Sequence, residues 1–147
     1  MKRAVLELWQ GTWDRMVRVT NKGQHLKKIK SNLGFWPWSC HRSRAVETVL
    51  AKLRIGHANF KEHSYRFNLS QSPLCRCGAV ESIDHIFLFC PLYNSERNNL
   101  RLKNNNLNVP LTTKNLLGGG NFEESVQKMI VENVAYFLRK INKLHIL

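Results

Sequence analysis

Acidic side chains are scarce in this chain: ten Asp and Glu stand against 23 Lys and Arg in 147 residues, and only Asp14 and Asp84 are aspartates. Magnesium-dependent phosphoryl chemistry gathers several carboxylates around paired ions. Glu47, Glu62, Glu81 and Asp84 are too dispersed to name as such a set, so a nuclease finds no support. No run of eighteen apolar residues occurs, which leaves no candidate membrane span. Cysteine is sparse too. Four thiols (Cys40, Cys75, Cys77, Cys90) are fewer than a disulfide-built secreted domain carries, and the opening stretch has Glu7 inside its apolar part and no small-residue cleavage signature. An intracellular setting, nuclear or cytoplasmic, with reduced thiols is the expectation. Neither a membrane nor a small-molecule substrate is expected as a partner.

What the chain has in excess is positive charge. The formal net charge is +13, and residues 1–74 hold +10 of it against +3 for residues 75–147. Charge of one sign concentrated on half of a small domain favours a polyanion, and RNA or DNA is the commonest inside cells. The length suits one domain with a real hydrophobic core.

The cysteines are unevenly placed. Cys75-Arg-Cys77-Gly is followed by His85 and then, five residues on, by Cys90. Three thiolates and one imidazole complete the tetrahedral shell of Zn(2+) and leave no open position for a reacting water, so the site is structural. His85 and Cys90 would stand about 140° apart on an unbroken α-helix, too far to share an ion. The helix is therefore expected to end before Cys90, helped by Pro91, which disfavours the α conformation at the residue before it. Gly78 permits a left-handed turn after Cys77, and Ser82 is a candidate N-cap for the turn carrying His85. Ile83, Ile86, Phe87, Leu88 and Phe89 are expected to anchor this knuckle to a helical body. His41 or His63 is a substitute ligand if the Cys-x-Cys pair is too strained to bind jointly, and Cys40 reads as a lone buried thiol.

The remaining pattern is mainly α, a small helical domain built around that knuckle. Val5, Leu8, Trp9, Trp13, Met16 and Val17 recur at helical steps over 4–18, and Val46, Val49, Leu50 and Leu53 over 42–55, with Arg44, Lys52 and Arg54 off the stripe and facing outward. Gly34 to Trp38 reads as an aromatic turn, and a short helix is allowed within 56–66. Pro91 suits the start of a helix that the Asn104 to Asn106 run weakens, and another short helix fits 111–117. Asn121 with Glu124 resembles a capping box for a last helix striped by Phe122, Val126, Met129, Ile130, Val134, Phe137, Ile141 and Leu144. Three segments follow: a basic, Trp-rich helix and connector (1–40), a helix plus knuckle core (41–103), and a linker with a C-terminal amphipathic helix (104–147).

Arg44 to His57, ending Leu-Arg-Ile-Gly-His, then Cys75-Arg-Cys-Gly, Asp84-His85-Ile, Phe89-Cys90-Pro-Leu-Tyr and Glu96-Arg97 resemble the C-terminal region of non-LTR (LINE-type) retrotransposon reverse-transcriptase polyproteins. Trp9-Gln-Gly-Thr-Trp13-Asp14 resembles the Trp-rich connector of the same family. The resemblance implies a knuckle lying downstream of polymerase and, in many members, ribonuclease H domains. The chain lacks the Tyr-x-Asp-Asp element of the polymerase, so it looks like a detached tail without catalytic domains. The function expected is a zinc-stabilised nucleic-acid-binding module. Cys75, Cys77, His85 and Cys90 would hold the metal, Lys27, Lys28, Lys30, Arg42, Arg44 and Arg54 would contact phosphates, and Trp36 and Trp38 either stack on unpaired bases or pack in the turn. His57 is either a buried, satisfied histidine or a neighbour of the knuckle. Upstream reverse-transcriptase domains are possible partners. The alternative is a helical protein–protein interaction module whose zinc site is purely structural.

Overall fold

The computed structural model describes residues 2–33 and 41–144. Among them the fold is helical: α1 (Lys2–Thr20), α2 (Gln24–Ile29), α3 (Arg44–Ile55), α4 (Lys61–Arg66), a π turn (His85–Phe89), a 3-10 turn (Pro91–Tyr93), α5 (Asn94–Asn105), α6 (Thr113–Leu116) and α7 (Glu124–Lys140). No strand occurs among the described residues; the one extended pairing there is an isolated bridge between Leu74 and Val80 at the foot of the knuckle.

The core follows the helical spacing. Val46, Val49, Leu50 and Leu53 of α3 are buried together with Ile130, Val134 and Phe137 of α7 and Ile141 just beyond it, and Ile86, Phe87, Leu100, Leu116 and Leu117 complete the same cluster. Burying a Leu, Ile or Phe side chain contributes about 1.5–3 kcal/mol each, so this cluster supplies most of the fold's driving force. The burial on α7 is wider than one stripe, because Gln127, Val131, Ala135 and Leu138 are also buried while Met129 is exposed. α5 packs along α7, and α2 packs on α3 and α6. His25 of α2 ties to α3 through Nε2 and the Leu53 carbonyl at 2.9 Å.

Several elements differ from the sequence expectation, each for a local reason. α5 does not weaken at the Asn run: it continues to Asn105, because Asn104 is wholly buried and its Oδ1 accepts from Asn133 Nδ2 of α7 at 3.0 Å. Pro91 opens a 3-10 turn rather than an α-helix, and α5 follows it. α7 starts at Glu124 and not at Asn121, which takes a left-handed φ of 55° and leaves the capping box unmade. α1 forms as expected, but its stripe stays largely in solvent: Leu8 is 69% exposed and Trp9 63%, and Val17 alone of the stripe is buried. The aromatic turn with Trp36 and Trp38, and Cys40, lie outside the described residues.

Candidate metal centre

The knuckle is assembled by two short turns. In the first, Cys75 N–H donates to the Ala79 carbonyl at 2.8 Å and Gly78 N–H donates to the Cys75 carbonyl at 3.0 Å, closing a loop around Cys77. Gly78 has φ of 93°, a left-handed value that a side chain would strain. In the second, Ser82 caps as its sequence position suggests: its Oγ accepts from His85 N–H at 3.1 Å and its carbonyl accepts from Ile86 N–H. The chain then leaves the α path by widening rather than by simply ending. His85–Phe89 is a π turn whose Cys90 N–H donates to the His85 carbonyl at 2.7 Å. Hydrogen bonding from i to i+5 adds a residue to the turn, and this brings residues five apart back toward one side. The five-residue spacing of His85 and Cys90, awkward for an α-helix, suits this turn.

Arg97 takes up carbonyls of the π turn and of its exit. Its Nε donates to Phe87 O at 3.0 Å, one terminal nitrogen reaches Cys90 O at 2.5 Å and Ile86 O at 3.4 Å, and the other meets Asn94 Oδ1 at 2.6 Å. The residue is only 3% exposed. Glu81, just ahead of the turn, is 4% exposed and paired with Lys143 Nζ at 2.9 Å, which ties the segment after α7 to the knuckle.

The four expected ligands converge, with all four donor atoms within 4.8 Å of one another. Cys75 Sγ and Cys90 Sγ are 3.7 Å apart, Cys90 Sγ and Cys77 Sγ 4.0 Å, and Cys77 Sγ and His85 Nε2 3.2 Å. Zinc with bonds of about 2.3 Å to sulfur and about 2.0–2.1 Å to nitrogen needs tetrahedral edges of about 3.8 Å between sulfurs and about 3.5 Å from sulfur to nitrogen. These three separations match the ideal edges to a few tenths of an ångström, and the sulfurs are far beyond the roughly 2.05 Å of a disulfide. The residues fit a metal ion.

The protonation of the ligands is set by their surroundings. A hydrogen bond from the Ala79 backbone is the largest influence on Cys77 and lowers its thiol pKa. Burial pushes the Cys90 thiol up to about 11. Burial, with the Arg97 charge second, lowers His85 below the usual imidazole value and keeps it neutral, the form that binds metal. Cys90 would become a ligand only as a cation displaced its proton, so metal uptake would be coupled to proton release. His41 and His63 take no part: His41 Nε2 pairs with Glu132 at 3.2 Å, and His63 lies against His57 and Phe67.

The basic residues expected to meet phosphate are not equivalent. Arg54 is a correction: it does not face outward but is 6% exposed, with Nε donating to Leu117 O at 2.9 Å, because α6 and its following loop cover that side of α3. Lys27 is paired with Asp14 at 2.6 Å, and Lys30 is half-buried. Lys28, Arg42 and Arg44 are exposed. The residue that sequence reasoning missed is Arg97, which lies in the Glu-Arg pair after Cys90 but reads there as one more helical cation.

Over 113 residues, 71% of the chain, the sequence is 29% identical to the retrovirus-related Pol polyprotein from type-1 retrotransposable element R1 of Bradysia coprophila. The chain is therefore similar to a retrotransposon polyprotein, and the match spans 10% of that protein's length. No protein-family model matches the chain, and no solved structure does.

Proposed function

We propose that this chain is a zinc-stabilised nucleic-acid-binding module, the C-terminal knuckle region of a non-LTR reverse-transcriptase polyprotein, and that it performs no catalysis itself. The convergence of Cys75, Cys77, His85 and Cys90 on one tetrahedral set carries the reading. Three sulfurs and one nitrogen fill zinc's coordination shell, so the ion braces the fold and has no position for an activated water. The net charge of +13 and the exposed Lys28, Arg42 and Arg44 support phosphate-driven binding. Similarity to the Pol polyprotein supports a setting beside polymerase domains.

Fluorescence anisotropy with labelled RNA and DNA across a salt series tests the binding. Log affinity should fall linearly with log salt, and Arg42→Ala with Arg44→Ala should flatten the slope by about one unit for each phosphate no longer neutralised. Affinity that ignores salt would contradict the reading. It would favour a protein-docking module instead, for which the exposed Leu8, Trp9 and Val19 of α1 are the observation in favour.

A further inference from the structure

A groove of about 920 Å³ runs between α2, the C-terminal end of α3, α4 and the Ser82–Asp84 segment that leads into His85. Its wall carries a ladder of three rings. His57 and His63 have centroids 5.1 Å apart, and His63 and Phe67 4.7 Å apart, at tilts of 44° and 39°. Phe67 is 55% exposed and His57 is exposed, so aromatic surface stays open to the groove's contents. Lys22, Lys28 and Arg66 line the same groove and are exposed. Two carboxylates also line it, Glu62 and Asp84, and the latter accepts a hydrogen bond from Thr113 at 2.6 Å.

His63 differs from its neighbours in the ladder. Both its ring nitrogens are buried without a hydrogen-bond partner, and burial lowers its pKa, which keeps the ring neutral at neutral pH. A neutral imidazole offers one donor and one acceptor, and leaving both unmade beside a groove is costly.

We infer that this groove holds an unpaired nucleotide of a single strand, its base against the His57–His63–Phe67 ladder and its flanking phosphates on Lys22, Lys28 and Arg66. It rests on the nucleic-acid-binding function proposed above and deepens it by naming single strands as the ligand. The volume suits a small-ligand site, and stacking on aromatic rings is the sequence-tolerant way of holding bases. A duplex keeps its bases paired and cannot use the ladder. The metal centre enters the same device, because the groove's floor at Ser82–Asp84 is the cap of the turn that carries His85.

The test is anisotropy of the full chain with a single-stranded oligonucleotide of about 15 nucleotides and its duplex, with 2-aminopurine in the strand as a stacking reporter. Phe67→Ala and His57→Ala should each weaken single-strand binding about tenfold and relieve 2-aminopurine quenching, leaving duplex affinity, zinc content and circular dichroism unchanged. Phe67→Trp should restore both. Wild-type affinity and quenching in Phe67→Ala and His57→Ala, beside weakened affinity in Arg42→Ala with Arg44→Ala, would overturn the groove and leave the module standing; a groove built for a protein partner gives this outcome. Absence of binding to either nucleic acid at low salt would overturn both.

Discussion

The ligand geometry hangs on a guanidinium that ligates nothing. Arg97 holds the carbonyls of Ile86 and Phe87 in the π turn and that of Cys90, which also accepts from Tyr93 N–H at 3.3 Å. Arg97→Leu should cost about 2–4 kcal/mol in chemical denaturation, since buried charge-assisted hydrogen bonds are worth about 1.5–3 kcal/mol and the Ile86 and Phe87 carbonyls would lose their guanidinium partner. Arg97→Lys should recover only part of this, because an ammonium cannot span them in a fixed fork. His85 gives a prediction in pH. Its folded pKa lies below the ordinary 6.5, so below that value the unfolded chain binds more protons than the folded one, and stability falls with acid. Metal binding adds to the same trend because it needs the neutral ring. Melting temperature should therefore drop as pH falls from neutral to about 5, and a His85→Asn variant should lose part of that dependence, with His63, whose pKa burial also lowers, keeping the rest. The ligands themselves were legible in the sequence because soft donors at short spacing have few other uses. Arg97 and Arg54 were not, since an arginine off an apolar stripe reads as solvated until the element that covers it is known.

At the scale of elements, helix positions follow from periodicity and their ends do not. α3 and α7 were visible as apolar stripes, and both form the core. The π turn was invisible, because nothing in His-Ile-Phe-Leu-Phe announces an i to i+5 bond; only the five-residue ligand spacing hinted that an α path would fail. α1 has a clear amphipathic pattern yet little to bury it, so periodicity predicts the helix and not whether its apolar face is covered. The Gly118-Gly-Gly run follows α6, and its middle glycine meets a close backbone approach. A Cβ on Gly119 would lie 2.1 Å from the Ile29 carbonyl oxygen, where α2 comes against the end of α6. Gly119→Ala should destabilise by about 2–4 kcal/mol through forced separation of these elements, measured by thermal or urea unfolding. Gly11→Ala, with nothing within 4 Å of its Cβ, should instead be neutral or slightly stabilising as α1 gains helix propensity.

For the whole molecule, one hydrophobic cluster reaches from Ile29 to Ile141, so the knuckle is not an appendage. Ile86 and Phe87 of the π turn are fully buried in that cluster, and Phe87 stacks on Phe137 of α7 with centroids 5.5 Å apart. Phe89, expected to help anchor the knuckle, is 69% exposed instead. Because the turn carrying His85 is also a wall of the core, a metal that closes the knuckle stabilises the whole fold, with structural zinc sites supplying apparent binding free energies of about 10–16 kcal/mol at neutral pH. The charge distribution was legible from composition, but which cations remain free for phosphate depends on packing that only the fold reveals.

The most direct test of a metal-closed knuckle is metal content by mass spectrometry on protein purified without chelator, beside Cys90→Ser, with circular dichroism on both. One zinc per wild-type chain, absent from the variant together with helical signal and thermal stability, is the predicted result. A wild-type protein that carries no metal, and whose helices and melting temperature survive Cys90→Ser unchanged, would contradict it.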